Sequence, residues 1–353
     1  MHSFNNFDIN KFSSELAIAS NTVIVTHFKP DGDAMGSSIA MYYFIRKFFA
    51  SDARIILNDR YPRSIAFMVD NEVEKDILVY NEDPSATITA INEADHIIAL
   101  DFNAFHRTDK LESALKESNA FKILIDHHLN PDTESFDLIF SYQEISSASE
   151  LLFHILKGTP QCQGRVENLP FSAAEALMTG MTTDTNNFAN STYPSTLQMA
   201  SELIGSGVDR DRIIFHIYNQ YGENRLRLLG HALKDLLTIT DDGVAYIVID
   251  KKTLENHKIE EGDTEGFVNM PLTIGKVRMS ILAKEDEDRI RISIRSKKGV
   301  SANRCSRLHF NGGGHENAAG GRLSIPNDVS SIREVPNYIE KHTHIFINEE
   351  NEA

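Results

Sequence analysis

Short apolar runs that end on an acid or a histidine punctuate the first half of the chain. Val23-Ile24-Val25-Thr26 leads into His27, Ile97-Ile98-Ala99-Leu100 into Asp101, and Lys122-Ile123-Leu124-Ile125 into Asp126. Runs of four or five apolar residues read as strands buried on both faces. Together with the apolar run at 54–57 they predict strands at 54–57, 96–100 and 122–125. Helical patterns lie between and after them, at 34–49, at 147–155 behind serine N-cap candidates, and at 172–181, rich in Ala, Glu, Leu and Met. This alternation from about residue 23 to 190 predicts an α/β domain, a parallel sheet with helices on both faces.

The pattern changes after residue 190. Pro194 opens a helical stretch ending at Gly205 or Gly207, and two more follow at 209–219 and 223–237. Strand patterns at 244–249, 277–282 and 290–296 come next, separated by acidic or glycine-containing turns such as Lys284-Glu-Asp-Glu-Asp288. They predict a second, smaller α/β domain with a mixed sheet. The expected boundaries are a first domain over 1–192, a helical linker over 193–225, a second domain over 226–345 and a disordered tail over 346–353, where Asn348-Glu-Glu-Asn-Glu-Ala353 is of low complexity.

Ligands of open α/β sheets bind just outside the carboxyl ends of the strands. The strand ends here carry His27, Asp101 and Asp126-His127-His128, with Asp31, Asp33 and Asp184 close to predicted helix ends. Any one of these acids would pass for a helix cap, and Asp31-Gly32-Asp33 for a turn. As a set they do not. Four carboxylates in one crevice would repel by about 4 kcal/mol per contacting pair at an effective dielectric near 20. Two divalent cations would cancel that charge. An oxygen-rich shell with imidazole suits Mn²⁺, with Mg²⁺, Co²⁺ or Fe²⁺ as alternatives, and paired cations of this kind activate water for attack on phosphorus.

Charge and composition narrow the partners. At 353 residues with 41% apolar content and a formal net charge of −16, the chain suits two globular domains and is a poor binder of long nucleic acid. The exception is 289–307, where Arg289, Arg291, Arg295, Lys297, Lys298, Arg304 and Arg307 occur without an acid. A local basic patch fits a small anionic ligand better than a polymer. No apolar run reaches the length of a membrane span, and the first residues lack the basic-then-apolar pattern of a leader. With only Cys162 and Cys305, far apart, the expectation is a cytoplasmic chain with free thiols.

Within the basic segment, Arg291, Ser293 and Arg295 alternate with Ile290, Ile292 and Ile294, so the isoleucines read as core and the arginines as a presented face. Arginine pairs bidentately with phosphate and stacks on bases. Gly312-Gly313-Gly314, followed by His315, would let a backbone approach an anion closely and form a phosphate nest. Arg295, Gly312, Gly313, Gly314 and His315 are therefore candidate anion contacts, with Ser296 beside Arg295 counted among them. His106, on the loop after the Asp101 strand, joins them.

His27-x-x-x-Asp31-x-Asp33, Asp101, Asp126-His127-His128 and Asp184 resemble the four signature motifs of the DHH phosphoesterase superfamily. Asn311-Gly312-Gly313-Gly314-His315-Glu316-Asn317-Ala318-Ala319-Gly320 resembles the glycine-rich signature of its accessory domain. The resemblance spans nearly the whole chain and, by length, is closest to the nanoRNase/pAp-phosphatase group. It implies two Mn²⁺ per chain, with Mg²⁺ or Co²⁺ as alternatives. His27 and Asp31 would hold one, Asp33, His127 and Asp184 the other, and Asp101 would bridge. His128 would face the phosphate, with Asp126 orienting an imidazole. It further implies a substrate cleft between the two domains, and hydrolysis of short 5′-phosphorylated oligoribonucleotides and 3′-phosphoadenosine 5′-phosphate. Cyclic or linear di-AMP is the nearest rival substrate. Pyrophosphate or polyphosphate follows, lacking a base to recognise. A non-catalytic nucleotide sensor would be expected to have lost a ligand, and none is missing. A homodimer stays open.

Overall fold

The computed structural model describes residues 8–260, 262–286 and 289–352, the side chains of 351 and 352 excepted. The first residues, read above for a leader, and the Glu287-Asp288 part of the acidic turn lie outside it. The chain divides into two compact units, 1–220 and 221–353.

The first unit runs α1 (Ile9–Ile18), β1 (Asn21–Thr26), α2 (Gly32–Phe48), β2 (Asp52–Leu57), β3 (Ile77–Val79), α3 (Pro84–Glu93), β4 (His96–Leu100), α4 (Glu112–Glu117), β5 (Phe121–Asp126), β6 (Leu138–Ser141), α5 (Ala148–Gly158), α6 (Phe171–Asp184), α7 (Pro194–Gly205) and α8 (Arg210–Tyr218). Its six strands lie in the order β3-β2-β1-β4-β5-β6, and every pair is parallel. Alternate side chains serve two cores. Ile24, Ile98 and Ile123 pack on one side of the sheet, and Val23, Ile97 and Leu124 on the other. That is why these strands carry unbroken apolar runs.

Helix α2 lies in the larger core, buried from Gly32 to Ile45. It starts where Asp31 caps it, its carboxylate accepting the N–H groups of Asp33 and Ala34 at 3.0 and 3.1 Å. Helix α6 lies so close to it that a Cβ on Gly36 would stand 2.6 Å from the carbonyl oxygen of Ala176. The expected linker over 193–225 is different in the structure. Met199 and Leu203 of α7, and Ile213 and Ile217 of α8, join the core of the first unit. Amphipathic helices need a partner for the apolar face, and these find it there, so the division falls at Gln220.

The second unit runs α9 (Glu223–His231), β7 (Leu237–Ile239), β8 (Val244–Ile249), α10 (Lys251–Asn256), β9 (Met279–Glu285), β10 (Arg289–Ser296), α11 (Ala302–His309), β11 (Gly313–His315), β12 (Ala318–Ser324) and α12 (Val335–Glu352). Its sheet order is β11-β12-β10-β9-β8-β7. Only β8 and β9 pair in parallel, so the sheet is mixed as expected. Along β10 the isoleucines are buried and the alternating residues half-buried. The expected disordered tail is instead the end of α12, apart from Ala353, which lies outside the described residues. Val335, Ile339, Phe346 and Ile347 are buried in the second core. Helical spacing places these four inward despite the acidic composition around them.

Candidate active site

The strand order reverses between β1 and β4, the place where an open α/β sheet forms a crevice at its carboxyl edge. His27 follows β1, Asp101 follows β4, Asp126 ends β5, and His127 and His128 come directly after it. Asp33 sits in the first turn of α2 and Asp184 closes α6. Asp101 holds a left-handed backbone, φ 63°, with its N–H donated to the carbonyl of Ile125 at 3.2 Å. Such a conformation is uncommon outside glycine, and positions of this kind cluster at active sites.

Asp101 is shared between two donor groups. Its Oδ2 lies 3.5 Å from His27 Nε2 and its Oδ1 3.4 Å from His127 Nε2. His27 Nε2 is 3.8 Å from Asp31 Oδ1. His127 Nε2 is 3.6 Å from Asp184 Oδ2 and 3.9 Å from Asp33 Oδ2. The potential ligand atoms of His27, Asp31 and Asp101 lie within 4.8 Å of one another, as do those of Asp33, Asp101 and His127. His27 Nδ1 donates to the Phe28 carbonyl at 2.9 Å, which leaves Nε2 as the nitrogen that could bind a cation. Asp126 is wholly buried and accepts from His128 twice, from the backbone N–H at 3.1 Å and from Nδ1 at 2.7 Å. The imidazole it orients is thus that of His128.

Burial makes this charge costly. Asp33 and Asp101 are 1% and 3% exposed. Burial pushes the Asp33 carboxyl well above the usual range, and the charges of Asp101 and Asp184 add to that. Burial acts against the His27 and His127 cations too. Hydrogen bonding and charge, chiefly from Asp101, outweigh it and raise both imidazoles to about 10. Burial also opposes the charged form of Asp101, but His127 and His27 hold its carboxyl well below the usual range. Without a cation, protons on the two imidazoles, together with the raised carboxyl of Asp33, offset part of that negative charge. The donor set of carboxylate oxygens and imidazole nitrogens, at separations that two bonds of about 2.1 Å can span, fits a pair of divalent cations.

The accessory residues sit in the second unit. Arg295, half-buried on β10, donates through Nη1 to the Ile294 carbonyl at 3.0 Å. Ser296 departs from its expected role: it is buried, its hydroxyl donates to Val300 O at 2.6 Å and accepts from Asn317 at 3.0 Å. Those bonds hold a turn. The expected phosphate nest is also different. Gly313, Gly314 and His315 form β11, and the Gly314 N–H donates to Asn303 Oδ1 at 3.1 Å. Glycine is needed for close packing, since a Cβ on Gly312 would stand 1.9 Å from Gly320 O. In the first unit His106 is exposed on the turn after β4 and joins no donor group among the described residues.

The sequence reading missed what holds Asp33. The first backbone N–H groups of α5 donate to its carboxylate, Ala148 to Oδ2 at 2.7 Å and Ser149 to Oδ1 at 2.9 Å. The signal was in Ser146-Ser147-x-x-Glu150, a capping pattern that marks a helix start with free N–H groups.

Comparison with known proteins gives the family. Residues 21–181 match the DHH family, N-terminal domain, and residues 231–340 the DHHA1 domain. The chain belongs to the DHH family and is a divalent-metal-dependent phosphoesterase. It is 28% identical over 320 residues to the bifunctional oligoribonuclease and PAP phosphatase NrnA of Thermus thermophilus, covering 87% of this chain and 85% of that one. The NrnA of Bacillus subtilis is 25% identical over 326 residues, covering 90% and 94%. The crystal structure of an exopolyphosphatase-related protein from Bacteroides fragilis superposes with a TM-score of 0.88 at 34% identity, covering 97% of each chain.

Proposed function

We propose that this phosphoesterase hydrolyses short 5′-phosphorylated oligoribonucleotides and 3′-phosphoadenosine 5′-phosphate at a site for two Mn²⁺ ions, which Mg²⁺ or Co²⁺ can replace. The observation that carries the reading is Asp101, whose two oxygens face His27 on one side and His127 on the other. His27 and Asp31 hold one cation, Asp33, His127 and Asp184 the second, and Asp101 both. Bound there, the cations supply a water of lowered pKa and offset phosphate charge. His128, held through Nδ1 by Asp126, faces the phosphate and stabilises the charge that develops on it. Arg295, His315 and the Gly312–Gly314 segment grip the remote part of the substrate, and His106 is a further contact. Remote grip of this kind orients the reacting phosphate. The choice of substrate is supported by the names of the two NrnA relatives, which align with this chain over most of their length.

A second reading, hydrolysis of a phosphoanhydride chain, is favoured by the 34% identity to an exopolyphosphatase-related protein. Phosphate release from pAp, pApA, cyclic di-AMP, pyrophosphate and polyphosphate, with Mn²⁺ and after chelation, separates the two. Turnover should be highest on pAp and pApA and vanish on chelation. Asp101→Ala should reduce it on the order of 10³-fold or more, since one change damages both metal loci. Faster turnover of polyphosphate, or near-normal activity of the Asp101→Ala enzyme, overturns the proposal.

A further inference from the structure

Glu150 is a charged side chain with no solvent exposure, and nothing in the mechanism above uses it. It stands at the third position of α5, directly after Ala148 and Ser149, whose N–H groups hold Asp33. In a capping box the glutamate at this position reaches back to the N–H of the capping residue. Here the cap is Ser147, whose hydroxyl accepts from Glu150 N at 3.0 Å, but the carboxylate reaches one residue further. Its Oε2 accepts from Ser146 N at 3.1 Å and from the Ser146 hydroxyl.

The same oxygen takes a third donor from another element. Thr196 Oγ1, in the first turn of α7, donates to Glu150 Oε2 at 2.7 Å and accepts from Tyr193 N at 3.0 Å. His154, one turn along α5, brings Nε2 to 3.7 Å from Oε1. Burial pushes the Glu150 carboxyl up, but the His154, Ser146, Ser195 and Thr196 donors outweigh it and hold the group below its ordinary range. An ionised, fully buried carboxylate is expensive to retain unless its bonds do something a methyl group could not.

The connectivity identifies that role. The start of α5 grips Asp33, and α7 begins at the end of the loop that leaves Asp184. Both acids face His127. Glu150 therefore ties together the two segments that bring carboxylates to one side of the site. There is little slack, since a Cβ on Gly180 would lie 2.1 Å from Ser149 Oγ and 2.9 Å from Asp33 Oδ1. A shift of the α5 start moves the Asp33 carboxylate with it.

We propose that Glu150 is a positioning residue for the metal locus of Asp33, His127 and Asp184, setting its affinity through the Ser146-Glu150-Thr196 network. The inference rests on the reading of Asp33 as a metal ligand. The test is Mn²⁺ binding to the full chain, followed by electron paramagnetic resonance and calorimetry with Mn²⁺ alone, alongside thermal unfolding. Wild type should bind about two Mn²⁺, and Glu150→Ala should weaken one site about 10- to 100-fold while leaving the other unchanged. Glu150→Gln keeps an acceptor oxygen for the same donors and should restore most of that affinity. Thr196→Val, which removes one donor at nearly constant volume, covers the case of an unfolded Glu150→Ala chain and should weaken the same site. Activity lost in Glu150→Ala should return as Mn²⁺ is raised. Wild-type affinity at both sites in Glu150→Ala or, should that chain not fold, in Thr196→Val overturns the positioning role, even if the melting temperature falls. Asp33→Ala is measured in parallel: if it binds both Mn²⁺ as wild type does, the reading of Asp33 as a ligand fails instead.

Discussion

At the residue scale the site is a charge balance that protons keep until metal takes over. His27 and His127, raised to about 10, are protonated at neutral pH in the metal-free chain. A ligating imidazole must be neutral, so binding releases protons. Mn²⁺ added at pH 7 in weak buffer should liberate about two protons per chain from the imidazoles, and more in so far as Asp33 is protonated, followed with an indicator dye, and affinity should rise with pH. No release would mean that these imidazoles are not the ligands. The sign for stability follows from the same values. The folded pKa of each imidazole lies above the ordinary 6.5, so its pairing with Asp101 stabilises the metal-free fold fully below about pH 6.5 and is lost as pH rises through about 10. The melting temperature of the metal-free protein should fall across that window. Most of these residues could be read from the sequence, because a histidine or acid at the end of an apolar run is a local pattern. What holds Asp33 was harder to read, because its partners are backbone N–H groups over a hundred residues away. Ser296 was misread for a related reason: a hydroxyl's partners cannot be seen along a strand.

At the scale of elements, two packing features set the frame. The approach of α2 and α6 depends on Gly36, whose added Cβ would meet a backbone carbonyl that cannot rotate away. Gly36→Ala should destabilise the first unit by about 1–3 kcal/mol, measured by urea unfolding. A stability equal to wild type would show that the helices can part without loss. Helix α12 is the second case. Phe346 is fully buried, so Phe346→Ala should destabilise the second unit by about 3–5 kcal/mol. An unchanged unfolding midpoint would mean that the helix end is dispensable. Period-two and unbroken apolar patterns made the strands legible. The end of α12 was not, because its acidic run has the composition of a solvated tail and only the spacing of Phe346 and Ile347 reveals the inward face. The same limit moved the domain boundary, since α7 and α8 look alike whether they link two units or cover one.

At the scale of the whole molecule, net charge weighs against long polyanions. The chain carries a net charge of −16, and basic residues of the second unit are partly neutralised, Arg304 by Glu349 and Glu350 and Arg289 by Asp286. Each added phosphate of a longer RNA adds charge of the sign the chain already carries. The value of kcat/KM should be larger for dinucleotides than for RNA of about 20 nucleotides, and the gap should narrow as salt screens the repulsion. Faster cleavage of the longer RNA at low salt would contradict this. The position of the second core in the sequence also has a consequence in time. The first unit ends at Gln220, after His27, Asp31, Asp33, Asp101, His127 and Asp184, so it can fold while synthesis continues. The second cannot close its core until Phe346 and Ile347 have emerged, well over a hundred residues after Gln220. A nascent chain therefore acquires its cation site well before the arginine strand has a finished scaffold. A ribosome that stops after Gln220 would release the acids and histidines of the crevice without the arginine strand.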